Sequence, residues 1–344
     1  MDDTRNDRDA GLQLLRMAEA LDAARVIQLA VEVRVADRLG DGPRTVDALA
    51  RDTGTQPDAL RRLLRALAGF GLCTETEPDR FDLTEMGERL RTNHPRSLRS
   101  WVGFQAMLTD VYAAAAHSIR TGEPTYPRVH GAPIFQDLAR HDERGRLFHA
   151  AMAEHSRLMG GALATGYDLG DARLIVDVGG GDGSLLAVLL DAYPDAHGLV
   201  FDLPEVADIA RKRLAAEGLS TRCTAVGGDF LAGVPSGGDV YLMKGILHNW
   251  ADDDARTLLR NCRSAMRPGD RLLMIEAVVP DGDAFHPSRL LDLAMLIVYG
   301  GRERTLTEHR RLLAEAGLRF TRVVEAAAPL SVIEAVPADD SGQR

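Results

Sequence analysis

Through the first forty residues apolar positions recur at helical spacing: Leu12, Leu15, Met17, Ala20 and Leu21, then Ile27, Leu29, Ala30, Val33, Ala36 and Leu39. The period predicts two helices, or one broken helix, ending at Gly40, a residue suited to a left-handed helix end. Thr45 is placed to cap a short helix through Leu49 and Ala50. A turn at Gly54 then leads to a helix with Pro57 at its first position and Leu60, Leu63, Leu64 and Leu67 behind it. After this helix-turn-helix pattern, Leu72-Cys73-Thr74 and Arg80-Phe81-Asp82-Leu83 read as strands around a turn near Pro78-Asp79, and Thr84 as the cap of a helix carrying Met86 and Leu90. Residues 1–100 are expected to form a mainly helical, winged-helix-like domain.

Residues 101–170 read as helical, interrupted around Thr121-Gly122-Glu123-Pro124 and His130-Gly131-Ala132-Pro133. From Arg173 onward short apolar runs alternate with amphipathic helices: Leu174 to Val178, Gly198 to Phe201, Val240 to Met243, and Leu272 to Ile275. Such alternation predicts an α/β fold, a mainly parallel sheet with helices on both faces. The second domain is expected over 101–344, with a helical linker and substrate-pocket region at 101–170 and the sheet core at 171–344. The polar end, Asp339 to Arg344, is expected to fray.

Length and composition agree with two domains: 344 residues, 45% of them apolar. A winged helix raises the question of DNA, and Arg61, Arg62 and Arg65 lie on its second helix. Acidic residues slightly outnumber Arg in this segment, however, and the whole chain carries a net charge of −10. Without a positive field phosphate binding is disfavoured, so dimerisation or a substrate-lid duty is the expected role, and no nucleic-acid partner. Cys73, Cys223 and Cys262 are odd in number and lack metal-ligand spacing, which points to a reducing compartment. No signal peptide is visible and no apolar run approaches the roughly 18 residues of a membrane span, so a cytoplasmic protein is expected.

The densest chemistry lies at the ends of the sheet strands. Asp177-Val178-Gly179-Gly180-Gly181-Asp182-Gly183 closes the first, where glycines permit a sharp turn and close ligand approach to main-chain N–H groups. Asp202 ends the second strand, at the distance of a ribose-binding acid; the glycine spacing departs from that of a dinucleotide site and suits a nucleoside joined to an amino acid. Gly227-Gly228-Asp229-Phe230 falls where a third strand should end, so that Asp229 could accept an adenine amino proton with Phe230 against the base, although such an Asp alone is more often a turn residue or helix cap. Next comes Met243-Lys244-Gly245-Ile246-Leu247-His248-Asn249-Trp250, with Asp252-Asp253-Asp254 placed to complement a helix N-terminus. An imidazole at a strand end suits proton removal near neutral pH. Glu276 and Glu303, each read as following a strand end, are candidates to hold the His248 ring. The acidic triplet has no partner at ligand spacing, so no metal is expected.

Together these residues resemble the class I S-adenosylmethionine-dependent O-methyltransferases, in the dimeric group of plant caffeic acid and bacterial polyketide-tailoring enzymes. The resemblance spans nearly the whole chain and includes Gly300-Gly301-Arg302-Glu303-Arg304-Thr305 and Phe148-His149-Ala150-Ala151-Met152-Ala153-Glu154-His155-Ser156. It implies a Rossmann-like core with S-adenosylmethionine held by Gly179, Gly181, Asp202, Asp229, Phe230, Lys244 and Ser156. His248 would be the general base flanked by Glu276 and Glu303, and Phe148, Met152, His155 and Met295 the acceptor-pocket wall. On spacing alone Phe148 and Met152 read equally as a buried helix face. Further implications are a homodimer formed through the N-terminal domain and metal-free methylation of a hydroxyl on an aromatic or polyketide-like small molecule, as in antibiotic biosynthesis. Non-methylating members that hydroxylate, decarboxylate or catalyse pericyclic reactions are the alternative. One departure stands out: Asn249 follows the base where many relatives have Asp, which lowers local negative charge.

Overall fold

The computed structural model describes residues 2–170, 172–327 and 329–338, so the expected frayed end lies outside the described residues. The chain divides into two compact units, Met1–Thr109 and Asp110–Arg344.

In the first unit, α1 (Asp2–Ala18), α2 (Ala20–Glu32) and α3 (Val35–Leu39) are followed by β1 (Arg44–Thr45), α4 (Val46–Thr53) and α5 (Pro57–Gly69). Then come β2 (Cys73–Glu77), β3 (Arg80–Leu83), α6 (Glu85–Glu88) and α7 (Arg99–Met107). Thr45 accepts from Ala48 N and caps α4, and Thr84 accepts from Gly87 N and caps α6. Leu60, Leu64 and Leu67 share one buried stripe of α5 with Leu39, Leu49 and Phe81, while the three short strands form an antiparallel wing in the order β1-β3-β2. The expected left-handed residue at Gly40 is right-handed (φ −62°). The reversal is taken up instead at Arg34 (φ 57°) and Gly42 (φ 114°), while a Cβ at Gly40 would lie 2.5 Å from the Arg91 guanidinium, which would have to shift. Leu90 lies just past α6 and is buried.

The arginines of α5 are engaged within this unit. Arg61 pairs with Asp79 (2.6 Å) and Asp58 (3.3 Å), Arg62 with Asp58 (2.8 Å), and Arg65 reaches Glu75 and Asp79 at 3.9 Å.

The second unit begins with a run of helices, α8 (Thr109–Ala113), α9 (Ala116–Thr121), α10 (Tyr126–His130), α11 (Ile134–Arg140) and the long α12 (Asp142–Gly166). Strands and helices then alternate: β4 (Leu174–Val178), α13 (Ser184–Ala192), β5 (His197–Asp202), α14 (Pro204–Ala216), β6 (Cys223–Gly227) and β7 (Val240–Lys244). A 3-10 turn (Leu247–Asn249) leads to α15 (Asp252–Ala265), β8 (Arg271–Val279), α16 (Pro287–Ala294) and a π-helical turn (Met295–Tyr299). Last come β9 (Arg304–Thr305), α17 (Leu306–Glu315), β10 (Leu318–Ala327) and β11 (Leu330–Pro337).

The main sheet runs β10-β11-β8-β7-β4-β5-β6, with β9 beside the end of β8. Pairings from β6 to β8 are parallel; β11 joins β8 antiparallel and β10 closes the edge as its hairpin partner. Alternate residues feed two apolar layers: Ile175 packs with Leu186 and Leu189 of α13 and Ala207 and Leu214 of α14, whereas Val176 and Val178 pack with Leu258 and Cys262 of α15 and Leu312 of α17. Cys73, Cys223 and Cys262 are all buried free thiols. Since β4 has β5 on one side and β7 on the other, strand order reverses there, and the carboxyl ends of β4, β5 and β7 open on one crevice.

Candidate functional site

At the end of β4 the chain turns through left-handed glycines 179, 181 and 183 (φ 71°, 59° and 80°) into α13. A Cβ at Gly179 would meet Ile246 Cδ1 at 2.5 Å and one at Gly180 the Asp177 carboxyl at 2.8 Å, whereas Gly181 faces open space. Gly181 N–H donates to Asp202 Oδ2 (2.9 Å) and Leu203 N–H to Oδ1 (2.8 Å), so Asp202 both braces the glycine turn and presents its remaining lone pairs. Burial holds its carboxyl above the ordinary value in spite of these donors. Asp177, which opens the glycine motif, is buried beneath this turn with Oδ2 unpartnered, and burial pushes its carboxyl up to about 7.

Phe230 meets Trp250 edge to face, ring centroids 5.7 Å apart, and Asn261 Nδ2 holds its carbonyl at 2.8 Å. Asp229 accepts from Leu231 N–H (2.8 Å), so the local turn role is filled in this structure. Lys244 Nζ stands 3.4 Å from His155 Nδ1 of α12. Burial lowers the Lys244 ammonium pKa, against the pull of Asp177 and Glu276, and burial beside Lys244 and His248 pushes His155 down to about 3, so its imidazole is neutral.

His248 occupies the 3-10 turn after β7. Its Nδ1–H donates to Glu303 Oε1 (2.6 Å), and Glu276 Oε2 lies 3.7 Å from the same nitrogen. A carboxylate only accepts, so the proton sits on Nδ1 and leaves the Nε2 lone pair available. Burial would lower the imidazolium pKa, but Glu276 and Glu303 outweigh it and hold it above the ordinary value despite Lys244. Glu276 also takes Ile246 N–H (3.1 Å) and Leu247 N–H (2.9 Å) on Oε1, fixing the backbone that carries the base.

Both acids depart from their expected places. Glu276 does not follow a strand end: after β7 has stopped, β11 still pairs with β8, Ser331 opposite Glu276 and Leu330 opposite Ala277, and β9 then pairs with Val278 and Val279. Glu303 precedes β9 rather than following a strand, and its N–H is held by Asp292 Oδ1 (2.9 Å).

The pocket-wall candidates divide. His155 joins the Lys244 group, and Met295 is buried at the start of the π-helical turn, its carbonyl accepting from Gly300 and Gly301 N–H. Phe148 is half-buried and packs edge-on against Phe135 (6.1 Å), which also meets Tyr299 (5.7 Å). Met152 and Ser156 are half-buried positions along α12. Two residues inside the quoted motifs have surroundings that spacing does not show: His149, whose imidazolium pKa burial lowers against the pull of Asp202 and Asp182, and Arg304, buried at 1% exposure. Asn249 Nδ2 donates to Gly245 O (3.1 Å).

Among the described residues His248, Glu276 and Glu303 form the one cluster of metal-type donors, their atoms within 4.8 Å of one another. Glu303 Oε1 takes the ring proton and Glu276 Oε1 two backbone N–H groups, while Oε2 of each acid is buried without a hydrogen-bond partner. The crevice fits an adenosyl sulfonium: a buried unpartnered carboxyl at Asp177, open space over Gly181, lone pairs on Asp202, and a hydrogen-bonded imidazole at the neighbouring strand end.

A doubly wound α/β unit with a crevice at its strand-order reversal, and a carboxylate-held imidazole at the neighbouring strand end, has the layout of a nucleoside-binding enzyme. Comparison with known proteins makes this specific. A model of the O-methyltransferase domain matches residues 112–319, and a model of the O-methyltransferase dimerisation domain matches residues 15–93. The O-demethylpuromycin-O-methyltransferase of Streptomyces alboniger is 41% identical over 323 residues, covering 92% of this chain and 86% of the relative. The structure of NcsB1, an O-methyltransferase from neocarzinostatin biosynthesis in complex with S-adenosylmethionine and 2-hydroxy-5-methyl naphthoic acid, matches with a TM-score of 0.75 and 36% identity over 92% of this chain and 96% of that one. Aclacinomycin 10-hydroxylase RdmB of Streptomyces purpurascens is 34% identical over 342 residues, 91% of each chain. The chain belongs to the S-adenosylmethionine-dependent O-methyltransferase family. No helix among the described residues is long and apolar enough to cross a membrane.

Proposed function

We propose that the protein methylates a hydroxyl of an aromatic or polyketide-like small molecule, with His248 Nε2 as the general base and no metal. The observation that carries this reading is the 2.6 Å bond from His248 Nδ1–H to Glu303, which fixes the tautomer a base requires. When bound, the cofactor supplies an activated methyl group on a cationic sulfonium. Asp202 would take the ribose hydroxyls, Asp229 and Phe230 the adenine, Gly179, Gly181 and Lys244 the methionine portion, and Ser156 a cofactor-side contact. Phe148, Met152, His155 and Met295 would enclose the acceptor and exclude water. A phenol of pKa about 10 is mostly neutral at pH 7. Its proton passes to Nε2 while Glu303 and Glu276 stabilise the imidazolium, a contribution of roughly 10²–10⁴ in rate. His248→Ala should lose that factor on a phenolic acceptor while still binding S-adenosylhomocysteine. Near-wild-type turnover would refute the assignment.

The intact His248, Glu276 and Glu303 arrangement favours methylation over the hydroxylating, decarboxylating or pericyclic alternative. Release of S-adenosylhomocysteine with a methylated product separates them. We further read residues 1–100 as the dimerisation domain and 101–344 as catalytic, and expect a cytoplasmic homodimer without a nucleic-acid partner. Support comes from the dimerisation-domain match and from Leu14, Met17 and Leu21, which stand exposed on α1 and α2. A concentration-independent monomer in light scattering would count against it.

A further inference from the structure

His248 sits in a three-residue 3-10 turn, too short to keep a shape of its own. Residues 301–304 grip that turn. Gly301 approaches so closely that a Cβ would lie 2.0 Å from His248 O and 2.9 Å from Asn249 C. Arg302 N–H donates to His248 O (2.8 Å). Arg304 Nη1 donates to Leu247 O (3.1 Å), Nη2 to Trp250 O (2.8 Å), and both Nε (3.2 Å) and Nη2 (2.9 Å) donate to Asp252 Oδ1 at the start of α15.

Burying a guanidinium is costly, and an apolar side chain of similar volume often serves stability as well or better. What hydrocarbon cannot do is draw three acceptors onto one rigid plane; Lys, with a single ammonium on a flexible stem, cannot do so either. Two of those acceptors are the carbonyls that bracket His248.

We propose that Arg304, admitted by the close approach of Gly301, is a positioning residue for the base: its fork fixes the carbonyls on either side of His248 and thereby the direction of Nε2, while Glu303 fixes the ring through Nδ1. Successive side chains of an extended segment diverge, so adjacent residues can serve the ring and the backbone of one turn. The effect is geometric, because the charges that move the proton affinity of His248 are Glu276, Glu303 and Lys244. This inference rests on the assignment of His248 as base.

The test uses the full-length protein carrying Arg304→Lys, with Asp252→Asn as a second variant that loosens the same fork should the first fail to fold. Three quantities are measured. One is the far-downfield proton of His248 Nδ1–H, identified by its loss in His248→Gln. The others are S-adenosylhomocysteine affinity by calorimetry, and methyl transfer from S-adenosylmethionine to a panel of simple phenols and nitrophenols. The expected result is affinity within about twofold of wild type, a broadened or shifted resonance, and turnover lower by about tenfold or more on neutral phenols. Nitrophenols already ionised at the assay pH need no base and should be spared. A wild-type resonance and turnover in either folded variant overturns the proposal, as does equal loss on ionised and neutral acceptors. Undiminished turnover in His248→Ala would instead sink the base assignment, and the resonance would still report on the grip.

Discussion

Glu303 Oε1 and His248 Nδ1 lie 2.6 Å apart although 55 residues separate them in the chain. Both groups are largely shielded from water, the side chains being 1% and 15% exposed. In such surroundings a charged partner acts on the imidazole with little screening, and it selects the tautomer as well as the pKa.

The first expectation concerns pH. Because the His248 imidazolium pKa is raised, kcat/KM should fall as pH drops through a value above about 6.5, where the base becomes protonated in the free enzyme. Glu303→Gln removes a group that raises it, so the acid limb should move to lower pH and the plateau should drop by about 10- to 100-fold, a share of the general-base factor. A pH–rate profile of both proteins decides; an unmoved limb removes Glu303 from this role.

Asp177 offers a stability test. Its carboxyl sits at about 7 in the folded chain against 3.8 for an ordinary one, with burial the main cause, Lys244 opposing, and Asp202 and Asp182 reinforcing. A folded pKa above the unfolded one means the contribution of this group to stability is fullest below pH 3.8 and is lost as pH rises toward 7. In cofactor-free protein Asp177→Asn should abolish that decline, so its melting temperature relative to wild type should rise between acidic and neutral pH. A difference that stays flat across this range would contradict the buried carboxyl.

Asp202 is expected to serve ligand and loop together. Removing a charged acceptor from two or more hydrogen bonds costs about 1.5–3 kcal/mol, or roughly 10- to 100-fold in affinity. Calorimetry with S-adenosylhomocysteine on Asp202→Ala should show this loss; unchanged binding would place the ribose elsewhere.

Thr305 caps α17 in a reciprocal box with Glu308, next to the segment that holds the base. Thr305→Ala should cost about 1 kcal/mol. For a unit of this size that corresponds to about 2–4 °C in Tm, measured calorimetrically. No change would mean the cap bonds are replaced by water.

Much of this was legible in the chain itself. Periodicity located α5, and the apolar runs located β4, β5, β7 and the start of β8, because a strand buried on both faces must be continuously apolar. The glycines at 179, 181 and 183 announced a turn that only a left-handed backbone completes, and His248 was identifiable from its place after a strand. The antiparallel edge of β10 and β11 was not, because β11 is buried at most positions without a clean alternation and its register is set by β8. That pairing carries β8 past Glu276 and turns an expected strand-end acid into a buried one. Arg304 and Asp177 both lie inside quoted motifs, but spacing alone shows neither the burial of the guanidinium nor that of the carboxyl. Local pattern fixed the elements and the turns. Which acid reaches the imidazole, which carboxyl loses its water and which guanidinium holds the turn depend on groups tens of residues apart, and only tertiary packing brings these into the low-dielectric contact that changes their chemistry.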